Sequence, residues 1–128
     1  MKILSVIDTM SLEAGGPPVV LRNQKKIINR KQNIISILPL GRLSLYYYIS
    51  LFFFPKRKKK FFNFIKKFDI IHFHEVWNFK TIIISYYARK LGIRYFYVGH
   101  GYLDPWSINQ KLLQKKFFIK FFLQNAYN

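Results

Sequence analysis

The chain contains no cysteine, which excludes a disulfide framework and any thiolate metal site and suits a reducing compartment. Acidic residues are scarce as well, with five Asp and Glu against 22 Lys and Arg in 128 residues. The three histidines are the only soft metal ligands, and the few carboxylates near them give a metal weak support, so neither a metal nor a cofactor is expected. Long apolar runs are also missing. The most apolar stretch, Leu43 to Phe54, falls short of the ~20 residues a spanning helix needs, and Pro39, Gly41 and Arg42 block its extension upstream. Met1-Lys2 leads into a short apolar run that Asp8 ends, so no secretory leader is read there. Neither the dinucleotide fingerprint G-x-G-x-x-G nor a P-loop Gly-Lys-Ser/Thr occurs.

What is present is ample core material: 51% of residues are hydrophobic and 20% aromatic, enough to exclude disorder in a chain the length of one domain. The formal charge of +17 should attract phosphates, anionic lipid head groups and nucleotide diphosphates. Most of the excess is lysine, accompanied by many Ile, Phe and Asn, a mixture that a genome rich in A and T also produces. The charge is scattered along the chain and no nucleic-acid motif is present, so a specific nucleic-acid partner is not expected.

Strand-type and helix-type segments alternate. Lys2 to Ile7 reads as a strand, followed by Gly15-Gly16-Pro17-Pro18 and a helix from Val19 to about Arg30. A glycine pair before a helix start lets a ligand approach the backbone closely; the alternative is a plain Gly-Pro turn. Asn33 to Leu40 is a second strand, while Leu43 to Phe54 is aromatic and too poorly periodic to assign. Lys56 to Lys60 (KRKKK) reads either as part of a membrane-contacting surface or as a solvated charged loop, ahead of an amphipathic turn or short helix over Phe61 to Phe68. Asp69 to His74 is a third strand. Asn78 caps a helix that runs to Leu91, with Ile82, Ile83, Tyr86 and Tyr87 inward and Gly92 as its stop. His72 and His74, two apart, share a strand face; His72 reads as the packed one and His74, nearer the strand end, as facing the crevice.

Arg94 to Val98 is the fourth strand and runs into His100-Gly101-Tyr102-Leu103-Asp104-Pro105-Trp106. Ser107 and Gln110 have capping-box spacing, which predicts a helix from Ser107 to about Asn125. Its apolar face is wider than one neighbour would bury, so it calls for a further protein half, a second subunit or a membrane interface. The alternation implies an α/β domain, a Rossmann-like open parallel sheet with flanking helices, whose ligands bind at the strand carboxyl ends.

Three motifs occur in one order: Gly15-Gly16 after the first strand, the His72–His74 strand with Trp77, and the run from His100 to Trp106. Together they resemble the N-terminal domain of GT-B glycosyltransferases of family 4, those that build bacterial surface polysaccharides. The resemblance spans nearly all of 1–128, read as a single partial acceptor-side domain without the C-terminal donor half. It implies transfer of a sugar from a nucleotide-sugar donor to a glycan or lipid-linked acceptor, usually retaining and without a divalent metal. The missing cysteines point to a cytoplasmic chain, and the aromatic, basic stretch around Lys56 to Lys60 leaves a peripheral position on the inner face of the plasma membrane open. His100 would position the transferred sugar as the catalytic-site histidine. Gly15 and Gly16 would approach donor phosphates or acceptor, His74 and Trp77 would line the acceptor side, and Gly101 and Asp104 would complete the substrate-binding loop. Two departures stand out: the middle is compressed, and His-Gly replaces the Arg-Gly frequent in such loops. The chain is expected to be inactive alone. A non-catalytic basic module on an anionic membrane is the alternative.

Overall fold

A computed structural model describes residues 1–11, 16–29, 33–98 and 105–109, together with 113, 115, 116 and 120. In chain order the elements are β1 (Lys2–Ile7), α1 (Gly16–Asn29), β2 (Ile34–Pro39), a 3-10 turn (Leu40–Arg42), α2 (Leu45–Phe53), α3 (Pro55–Ile65), β3 (Ile70–Phe73), α4 (Phe79–Lys90), β4 (Arg94–Tyr97) and α5 (Pro105–Asn109). The four strands form one all-parallel sheet in the order β2-β1-β3-β4. This is the Rossmann-like α/β arrangement that the alternation of segments implied. Among the described residues no helix is long and apolar enough to cross a membrane.

Parallel strands carry helices on both faces, which is why β1 and β3 are near-continuous apolar runs. Alternation along the strands divides their side chains between two faces. Leu4, Val6, Ile71 and Phe73 face the main core, where they meet Leu51 of α2, Phe61 and Ile65 of α3, and Ile84, Tyr87 and Ala88 of α4, all buried. Phe73 stacks on Tyr97 of β4 with ring centroids 4.7 Å apart. The opposite face carries Ile7 and Ile35, and Leu21 of α1 belongs with them outside that cluster. At the sheet's amino end, Lys2 N–H donates to the Asp69 carboxylate at 2.6 Å and Asp69 N–H donates to Lys2 C=O at 2.8 Å, fixing β1 against β3.

Local chemistry sets the helix limits. Ser44 Oγ accepts from Tyr47 N–H and Asn78 Oδ1 from Lys80 N–H, capping α2 and α4. Pro55 cannot continue α2, but it suits the first turn of α3, so one residue ends one helix and begins the next. At the end of α4, Gly92 takes φ 68°; Gly92 N–H donates to Arg89 C=O and Ile93 N–H to Ala88 C=O, the paired bonds of a Schellman stop.

Several segments differ from the sequence expectation. The unassigned stretch is α2, apolar on every side and therefore without a readable period. The KRKKK run is helical, forming the first turns of α3 rather than a loop, since Lys and Arg are good helix formers and Phe61 and Ile65 anchor the same helix. The inner face of α4 holds Tyr87, as expected, with Thr81, Ile84, Ser85 and Ala88; Ile82, Ile83 and Tyr86 are half-buried and line the groove towards α2. Small side chains let α4 approach the sheet closely, and the hydroxyls of Thr81 and Ser85 are satisfied within the helix by the Asn78 and Ile82 carbonyls at 2.6 and 2.9 Å. α5 begins at Pro105, which puts Ser107 inside the helix rather than at its cap.

Candidate functional site

In an open parallel sheet the crevice lies where the strand order reverses, outside the carboxyl ends of the strands. Here that point is between β1 and β3: β1 passes through α1 to β2 on one side, and the chain then crosses to β3 on the other. Asp8 leaves the end of β1, and His74 and Glu75 leave the end of β3. His74 N–H still bonds to Val6 C=O at 2.8 Å, so the two exits stay side by side.

Hydrogen bonds between distant segments brace this rim. Gly41 N–H donates to Asp8 C=O at 2.9 Å, joining the β1 exit to the 3-10 turn after β2. A Cβ at position 41 would stand 3.3 Å from that same oxygen, so glycine permits the close approach. Lys80 Nζ donates to the carbonyls of Leu40 and Leu43, each at 2.8 Å, tying that turn to α4. Arg22 Nη2 reaches back from α1 to Met10 C=O at 2.9 Å. Asn78 Nδ2 approaches Asp8 Oδ1 at 3.5 Å while its own Oδ1 caps α4.

Glu75 carries the clearest electrostatic signature of the rim. Burial, and secondarily the Asp8 carboxylate, push its carboxyl up from the ordinary 4.5 to about 7, against the opposing pull of a hydrogen bond from the Asp8 backbone. At neutral pH such a group both donates and accepts a proton, which an ordinary surface glutamate does not. Glu75 and Asp8 were not singled out from the sequence. A signal was available: the chain has only five acidic residues, and these two each follow closely on a strand end.

Of the expected binding residues, Trp77 is half-buried in the β3–α4 loop, and Lys115 Nζ stands 5.2 Å from its ring centroid. His74 is 1% exposed, its ring 4.0 Å from that of His72, and His72 in turn stacks on Phe96 at 4.4 Å. The shared strand face of the two histidines is therefore observed, but His74 is the more buried of the pair. Gly16 is the exposed first residue of α1, and a Cβ there would meet nothing within 4 Å. Gly15, His100, Gly101 and Asp104 lie outside the described residues. Among the described residues no group of three His, Cys, Asp or Glu could hold a metal ion.

Comparisons with protein-family models, with curated proteins and with solved structures found no match to this chain.

Proposed function

We propose that this chain is the acceptor-side, N-terminal portion of a GT-B, family 4-type glycosyltransferase, transferring a sugar from a nucleotide-sugar to a glycan or lipid-linked acceptor. The observation that carries the proposal is the pair of carboxyl groups, Asp8 and Glu75, at the β1–β3 reversal of an all-parallel sheet, with Trp77 two residues beyond Glu75 in the same loop. An indole face stacks on the apolar face of a sugar ring, and carboxyl groups accept hydrogen bonds from its hydroxyls.

Sugar transfer joins an acceptor oxygen to the anomeric carbon while the bond to the diphosphate breaks, and the acceptor hydroxyl gives up its proton. Glu75, half-protonated near pH 7, orients that hydroxyl and can take the proton. Asp8 fixes a second hydroxyl and is itself steadied by Gly41 and Asn78. By the resemblance, His100 positions the transferred sugar, Gly101 and Asp104 contact substrate, and Gly15 and Gly16 approach the donor phosphates or the acceptor. His74, buried beneath the rim and bonded through its N–H to Val6 C=O, sets the position of Glu75 as its neighbour just past β3. A nucleotide-sugar-binding second lobe supplies the donor.

The test joins the chain to such a lobe and follows labelled sugar moving from the nucleotide to a lipid-linked acceptor. Transfer should appear, and kcat should fall by about a hundredfold or more in Glu75→Gln and in His100→Ala. Transfer at full rate in both variants would refute the assignment.

A further inference from the structure

The outer surface of α2, α3 and α4, away from the sheet, has the chemistry of a bilayer contact. Leu45, Tyr46, Ile49, Phe52 and Phe53 recur at i, i+1, i+4, i+7 and i+8 along α2, one continuous helix stripe, and every one of them is exposed. Tyr46 and Phe53 are 83% and 74% exposed, and Phe54 at the α2–α3 joint is 54% exposed. The opposite stripe, with Tyr48 and Leu51, already fills the core, so α2 is apolar on both sides and only one side is used. Between α2 and α4 lies an open groove of about 430 Å³, lined by Leu45, Ile49, Phe52, Phe79, Ile82 and Tyr86.

Cations frame these apolar groups. The Arg57 guanidinium sits 5.0 Å from the Phe54 ring centroid and donates to Ser50 Oγ at 3.0 Å, and Lys90 Nζ lies 4.7 Å from the ring of Tyr86 in the groove wall. α3 itself presents a shallow basic depression of about 530 Å³ formed by Lys56, Lys59, Lys60, Lys67, Asn63 and Phe64. Lysines at the start of a helix oppose its dipole, and the first turn of α3 holds no acidic residue. Helix stability alone would therefore not place them there, whereas an anionic surface facing them reverses the penalty.

We infer that the α2–α3–α4 outer surface docks on an anionic lipid bilayer, with the α2 aromatics and the groove taking acyl chains and the α3 lysines taking head-group phosphates. The inference goes beyond the proposed sugar transfer and does not rest on it. Charge decides the occupant: a second copy would bring another +17, and nucleic acid offers nothing to an apolar groove. Because no described helix can cross a membrane, the docking is interfacial.

The test is co-sedimentation of the full chain with phosphatidylcholine vesicles, with and without phosphatidylglycerol as about a third of the lipid. Binding should need the anionic lipid and fade with salt. Lys56→Glu/Lys60→Glu should weaken it by at least about tenfold while leaving the melting temperature equal or higher. Tyr46→Ser/Phe53→Ser should weaken it by a similar factor, about tenfold, with the circular-dichroism melt retained. Lys25→Glu/Lys26→Glu makes the same charge change on α1, across the sheet, and should cost much less. Equal loss in the two charge-reversal variants would reduce the effect to diffuse charge and overturn the inference. Binding indifferent to the Tyr46 and Phe53 substitutions would overturn it, as would a dimer in lipid-free solution that those substitutions dissociate.

Discussion

The sheet face beneath α2, α3 and α4 and the carboxyl rim between β1 and β3 share the same strands but obey opposite rules. On the face, Val6 and Phe73 sit among Leu51, Ile65 and Ile84 with no polar requirement, and burial is the whole source of their stability. One residue beyond β1 and two beyond β3 stand Asp8 and Glu75; burial first, and the neighbouring Asp8 carboxylate second, raise the Glu75 carboxyl pKa, which works against folding at neutral pH. A rim arranged for stability alone would not bring together two of the five acids of a basic chain. The contrast separates what holds the protein together from what it is built to do.

The comparison breaks most severely on the apolar side. Phe73→Ala should cost about 3–5 kcal/mol, read as a lower urea midpoint, because it removes a fully buried ring and leaves its space open beneath Tyr97. A loss under about 1 kcal/mol would mean that this face is loosely packed.

Glu75→Gln should act in the opposite direction. The folded pKa of Glu75 lies above its unfolded value, so the stability tied to the protonated form is fully present below pH 4.5 and lost as the pH rises through about 7. Glutamine keeps the neutral form at every pH. The variant should match the parent near pH 4 and exceed it at pH 8 by about 1–2 kcal/mol, after discounting the shift for the partial exposure of the group. Urea titrations at the two pH values measure it, and a variant less stable at pH 8 would mean that the carboxylate is compensated.

Asn78→Ala, at the boundary of the two regions, should cost about 1 kcal/mol because it removes the α4 cap, and Asn78→Ser should recover most of the loss. A serine variant as unstable as the alanine one would shift the weight from the cap to the Asp8 contact.

How much of this was legible in the sequence follows from range. β1, β3 and the Asn78-to-Gly92 helix depend on local patterning and caps, and their limits were readable to within a residue or two. The stretch over 45–53 was not, because a helix apolar on all sides carries no period. Of the large side chains expected inward on α4, Tyr87 is buried and Ile83 and Tyr86 pack partly against the core, but Thr81, Ile84, Ser85 and Ala88 complete the inner face, where close packing also admits small residues. The Asp8–Glu75 pair depends on β1 lying beside β3, a contact between segments 67 residues apart, and no local spacing encodes that neighbourhood. His74 was expected in the crevice by its position at the strand end, but its ring packs against His72.

The most direct test of the central claim, that the β1–β3 rim receives a sugar, is amide chemical-shift mapping of the chain titrated with an oligosaccharide acceptor. The rim account requires the largest shifts at Asp8, Gly41, Glu75, Trp77 and Asn78, with the effect lost in Trp77→Ala. Shifts confined to the outer surface of α2 and α4, or none at the rim at saturating sugar, would contradict it.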